Sequence, residues 1–148
     1  MVNSDTLWIT GGSDSESIHC LASTEFIQYE AGDWLPSFSG PDLPVALCGH
    51  QIVSFNSNYG YVSMIIGGWQ SDLNEASELT YFFFQENQTW IEGPSLNQAR
   101  WGHAATVVTD PVTREELVIV TGGQTTSSSS DFLDTTEILF DGLWASGT

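Results

Sequence analysis

The chain has 148 residues, enough for one ordinary domain with its own core and too few for two. Its 19 acidic residues against two basic ones, Arg100 and Arg114, give a net charge of −17, and there is no lysine. That balance weighs against nucleic acid and anionic membrane surfaces as partners, because both are held by neutralising phosphates with Lys and Arg.

Low charge content with many Trp, Phe, Tyr, Val and Ile argues against disorder and for strands. No run approaches the roughly eighteen apolar residues of a membrane span. Met1 is followed by Val-Asn-Ser-Asp rather than by a basic and then apolar leader, so no targeting signal is visible. The expectation is a soluble segment, with extracellular and cytoplasmic compartments equally open.

In chain order, a first unit over 1–44 reads as three strands: TLWIT, which runs into Gly11-Gly12, then TEFIQY and WLPSF. A second unit over 45–97 reads as four: GHQIVSF, YVSMII up to Gly67-Gly68, ELTYFFF and TWIE, joined by short polar turns such as NSNYG. A third unit over 98–148 gives HAATVVT, ELVIVT up to Gly122-Gly123, TTEILF and the start of a fourth strand at Leu143-Trp144. No window carries a helical period, so the fold class is all-β.

The units repeat. The double glycines are 56 and 55 residues apart, and Trp34, Trp90 and Trp144 recur with them. GPDLPVALCGH at 40–50 matches GPSLNQARWGH at 93–103 in six of eleven places at a constant offset of 53. His50 and His103 fall at equivalent places in this match, which marks them as scaffold residues. Arg100 has Leu47 at its matching place.

A four-stranded unit of this length, with a Gly-Gly after the second strand and a Trp opening the fourth, resembles the kelch repeat, whose units form the blades of a β-propeller. The resemblance spans essentially the whole chain. It places Glu25, Glu78 and Glu137 in the third strand and makes Tyr29, Phe84 and Phe140 its closing aromatics. It implies four-stranded antiparallel blades in an incomplete propeller, since just under three units fall short of the roughly four to eight blades that close a ring. The chain is therefore expected to be a fragment of a longer propeller protein, its remaining blades coming from the full-length chain or from self-association. The glycines, which tolerate positive φ and close backbone approach, and the three tryptophans, which fill space between blades, are scaffold devices.

The resemblance also implies that Cys20 and Cys48 open on one face of adjacent blades, where a disulfide and two free thiols both remain open. Asn87-Gln88-Thr89 is a glycosylation sequon in a hairpin turn. His19 has no metal-ligand spacing with Cys or His, and no nucleophile elbow or phosphate-cradling loop is present. No catalytic residue, metal or cofactor is expected.

The function implied is a protein-interaction scaffold. A propeller-based, oxidase-like enzyme with catalytic residues outside this chain is the alternative. The second-to-third-strand loops carry Asp14 and Glu16, Asp72 and Glu75, and Asp131 and Asp134. On one face these would form an acidic rim for a basic protein partner, with Trp69 as an aromatic contact.

Overall fold

The computed structural model describes residues 6–14, 19–128 and 130–147. Among them there is no helix. The strands are grouped mainly in three antiparallel sheets that follow one another along the chain.

The first sheet holds β1 (Thr6–Thr10), β2 (Thr24–Glu30), β3 (Asp33–Trp34) and β4 (Phe38–Ser39). The single strand expected at WLPSF is split in two, because β3 pairs with the end of β2 and β4 with its start, across a slip at Leu35-Pro36. Proline has no N–H for a ladder bond, so the interruption falls where the sequence removes a donor.

The middle sheet runs β5 (Gln51–Ser57), β6 (Gly60–Ile66), β9 (Thr80–Phe84) and β10 (Thr89–Glu92), in that spatial order. Between β6 and β9 the chain forms a small hairpin of β7 (Trp69–Gln70) and β8 (Glu75–Ala76), unforeseen in the sequence. The third sheet is β11 (Ala104–Thr109), β12 (Glu116–Thr121), β13 (Thr136–Phe140) and β14 (Leu143–Gly147). Its fourth strand runs through five residues rather than just starting at Leu143-Trp144.

The sheets pack face to face. Val62, Met64, Ile66 and Phe55 of the middle sheet bury against Val118, Val120, Leu139 and Trp144 of the third. Between the first and middle sheets, Trp8 stacks near Phe83 and Trp90, while Leu43, Leu47 and Ile65 form a smaller cluster. Alternation along each strand explains these faces: Val118 and Val120 are fully buried while Leu117, Ile119 and Thr121 point the other way.

The repeated segments have repeated hydrogen bonds. The Gly40 amide donates to the Thr24 carbonyl and the Thr24 hydroxyl to the Pro41 carbonyl; Gly93, Thr80 and Pro94 do the same one unit on. Leu43 and Leu96 are both buried, so Gly-Pro-x-Leu is a strap tying the end of one unit to its own third strand.

Two sequence assignments need correction. Glu78 precedes β9 rather than lying in it; the residue in register with Glu25 and Glu137 is Tyr81, since Ile9 pairs with Glu25, Ile65 with Tyr81 and Val120 with Glu137. Trp34 is not a buried spacer: it is 61% exposed, whereas Trp144 is 7% exposed. Trp90 and Trp144 each have a preceding sheet to pack on, and the face that carries Trp34 is turned away from the middle sheet.

Candidate functional site

The loops after the double glycines are laced together at one end of the sheets. Leu47 forms a bridge with Leu21, and Cys48 exchanges backbone hydrogen bonds with Trp69. One unit on, Trp101 exchanges the same pair with Gln124. Cys20 and Cys48 form a disulfide with a Cα–Cα distance of 5.2 Å, and the Ser71 hydroxyl accepts from the Cys20 amide. The Trp69 and Trp101 rings lie 5.6 Å apart, and Trp101 Nε1 donates to the Thr126 carbonyl. The loop of the first sheet is thus tied to that of the middle sheet, and that in turn to the loop of the third.

The double glycines make the lacing sterically feasible. Gly67 has φ of 57°, and a methyl group there would stand 2.6 Å from the Arg100 carbonyl and 2.9 Å from the His103 ring. Gly68 faces back to His50 in the same way, at 2.9 Å. One glycine admits the histidine of the next unit and the other that of its own.

His103 is buried just before β11. Its pKa is pushed down to about 4, first by burial and then by the Arg100 guanidinium and His50, so the ring is neutral at physiological pH. His50, whose Nε2 lies 2.8 Å from the Thr10 hydroxyl, is also held below its ordinary value by burial. Arg100 itself is fully buried and donates to the Gly122 carbonyl at 2.9 Å and to Glu137 at 2.9 Å.

Of the acidic residues singled out in the sequence, Asp14, Asp72, Glu75, Asp131 and Asp134 are exposed in the laced loops; Glu16 lies outside the described residues. Asp72 and Glu75 sit on the β7–β8 hairpin, and Asp131 accepts from the Thr126 hydroxyl at 2.7 Å. Trp69 is half-buried, with its ring against Trp101 rather than standing free. Asn87 is exposed in the β9–β10 turn, where its side-chain oxygen accepts from the Thr89 hydroxyl at 2.5 Å.

At the opposite end of the sheets, a cleft of about 470 Å³ opens between the middle and third sheets. Phe55, Phe82 and Leu139 give it an apolar wall, and Arg114, Glu115 and Asp141 also line it. The Glu116 carboxylate clamps the two sheets there by accepting from the Asn56 amide and side chain. Among the described residues, no group of three or more His, Cys, Asp or Glu could hold a metal ion, and no helix is long and apolar enough to cross a membrane.

Sequence reasoning missed the Arg100–Glu137 pair. The signal was there: where the third unit has Arg100 and Glu137, the middle unit has Leu47 and Tyr81, so both members change together. Comparison with known proteins finds no family model that matches the chain and no curated relative.

Proposed function

We propose that the three sheets are kelch-type β-propeller blades and that the chain is a protein-interaction scaffold, without catalytic residues or cofactor of its own, which presents its laced loops to a basic peptide or protein. The blade reading is supported by the repeated strap, by the glycine–histidine packing and by β5 and β11, the first strands of their sheets, lying side by side.

The observation that carries the binding surface is how charge is sorted. Five exposed carboxylates stand in the laced loops with no Lys or Arg among the described residues there. Of the two arginines, Arg100 is buried, and Arg114 lies in the β11–β12 turn, at the far end of β12. A uniformly acidic, disulfide-tied end favours cationic partners and speeds their encounter at low salt.

The test is binding of an arginine-rich peptide across a salt series to two variants of equal charge. Asp72→Asn with Asp131→Asn should weaken binding several-fold at low salt, while Glu115→Gln with Asp141→Asn at the other end should not. Equal weakening by both pairs would reduce the effect to bulk charge and overturn the surface.

A further inference from the structure

This inference deepens the blade reading and rests on it. The two junctions between blades are built at the same register positions. In the third blade, Val120 pairs with Glu137 and Leu139 with Trp144, on the face buried against the middle blade. In the middle blade, Ile65 pairs with Tyr81 and Phe83 with Trp90, on the face turned to Trp8 of the first. In the first blade Ile9 pairs with Glu25 at the first of these positions, and on the same face Trp34 pairs with Tyr29, two residues farther along the third strand than Phe83 and Leu139 lie along theirs. Among the described residues nothing covers this face: Trp34 is 61%, Leu7 49% and Ile9 44% exposed.

We propose that this face of the first blade docks a further blade whose entering segment carries an arginine at the position of Arg100, and that Glu25 receives its guanidinium as Glu137 receives that of Arg100. Charge complementarity commits the occupant. Glu25 stands within an apolar face, and covering it leaves a buried carboxylate that is costly unless a cation comes with the cover. At the existing junction with Glu137, the cover supplies Arg100 and the amides of Asn97 and Gln98, at 2.7–3.1 Å. At the other junction the matching positions hold Tyr81 and Leu47, the leucine fully buried beside Leu43 and Ile65, and neither is charged. Glutamate therefore selects an arginine-bearing segment and tyrosine a leucine-bearing one, so the two junctions cannot exchange occupants without stranding a charge. Trp34, Tyr29 and Leu7 lose their exposure in the same step.

The experiment uses the chain's own second junction as the probe. Residues 45–116, which hold the middle blade, the strap with Arg100 and an inner strand, are placed ahead of residues 6–148, so that the copied Arg100 faces Glu25. The lengthened protein should melt higher than the original. Glu25→Tyr should lower its Tm by about 5–10 °C and leave the original chain nearly unchanged. Adding Arg100→Leu in the copied segment should restore most of the loss, because Leu and Tyr are the residues of the other junction.

A raised Tm with Glu25→Tyr equally harmless in both proteins would overturn the ion pair while leaving the blade reading intact. No rise at all would overturn both. A second copy of the chain is the competing occupant: a dimer of the original chain, seen by sedimentation and abolished by Trp34→Ala but indifferent to Glu25→Tyr, would give the face to that copy and overturn the proposal.

Discussion

Arg100 and Glu137 form an ion pair at 2.9 Å in which the arginine is fully buried and the glutamate nearly so. The pair joins the strap that leaves the middle sheet to the third strand of the next. The same guanidinium also donates to the Thr135 carbonyl and hydroxyl. The same carboxylate accepts the Asn97 and Gln98 amides. With so many partners satisfied, breaking the pair strands a charge rather than removing one contact.

Arg100→Leu or Glu137→Tyr alone should therefore cost about 3–5 kcal/mol. The double variant, which installs the residues found at Leu47 and Tyr81, should recover most of the loss. A double-mutant cycle by urea denaturation measures this, and additive single effects would refute the coupling.

His103 makes stability pH-dependent in a stated direction. Its folded pKa is depressed to about 4, so between the ordinary value of 6.5 and about 4 the unfolded chain takes up a proton that the folded chain refuses. Stability is full above pH 6.5 and falls through that window by up to about 3 kcal/mol. His50, shifted the same way, adds to the fall. Urea midpoints from pH 7.5 to 4 should drop less steeply for His103→Gln than for the parent, and parallel curves would contradict the assignment.

The three tryptophans that recur in the sequence should separate by burial. Trp144→Ala truncates a buried ring whose Nε1 donates to the Pro94 carbonyl at 2.8 Å, and should cost about 3–5 kcal/mol. Trp90→Ala should cost less, and Trp34→Ala under about 1 kcal/mol in this chain. Thermal melts decide it; equal losses at Trp34 and Trp144 would show that the Trp34 face is covered.

Much of this was legible because the fold repeats. Gly-Gly meets a need for positive φ and close approach, and Gly-Pro-x-Leu a need for a small residue and a buried leucine, so they recur at nearly constant offsets. Position within a unit was less legible where neighbours differ. Trp34 has the spacing of Trp90 and Trp144, but burial depends on which sheet stands opposite, and spacing does not carry that. Glu78 was misplaced because a glutamate was sought at the register position where the middle unit has Tyr81. The β7–β8 hairpin could not be read from WQSDLNEA, a short polar stretch whose strands are only two residues each, pairing Trp69 with Ala76 and Gln70 with Glu75 and held besides by the bridge from Trp69 to Cys48 across units.

The Cys20–Cys48 bridge closes a loop with a sequence separation of 28 across the first junction. Replacing both cysteines with serine should cost about 3.5 kcal/mol by loop-closure entropy. It should also loosen the laced end without disturbing the third sheet. Hydrogen exchange locates the change: faster exchange at the Gly12 and Leu47 amides with Val118 and Val120 unchanged is expected, and a uniform change across all three sheets would refute a local role.

Gly67 and Gly12 test whether the double glycine is a matter of backbone conformation or of close approach. Both have positive φ, 57° and 99°, so alanine at either bears the strain of a left-handed residue, about 1–2 kcal/mol. At Gly12 a methyl group meets nothing within 4 Å, whereas at Gly67 it meets the Arg100 carbonyl and the His103 ring. Gly12→Ala should therefore stay near the strain cost, and Gly67→Ala should exceed it by at least about 2 kcal/mol, because backbone rather than a flexible side-chain tip must move. Pushing the Arg100 carbonyl away also tilts the guanidinium off Glu137, so Gly67→Ala and Glu137→Gln should be strongly non-additive while Gly12→Ala and Glu137→Gln simply add. Equal effects of the two alanine substitutions would mean that conformation alone fixes these glycines and that the approach of the next unit's histidine does not.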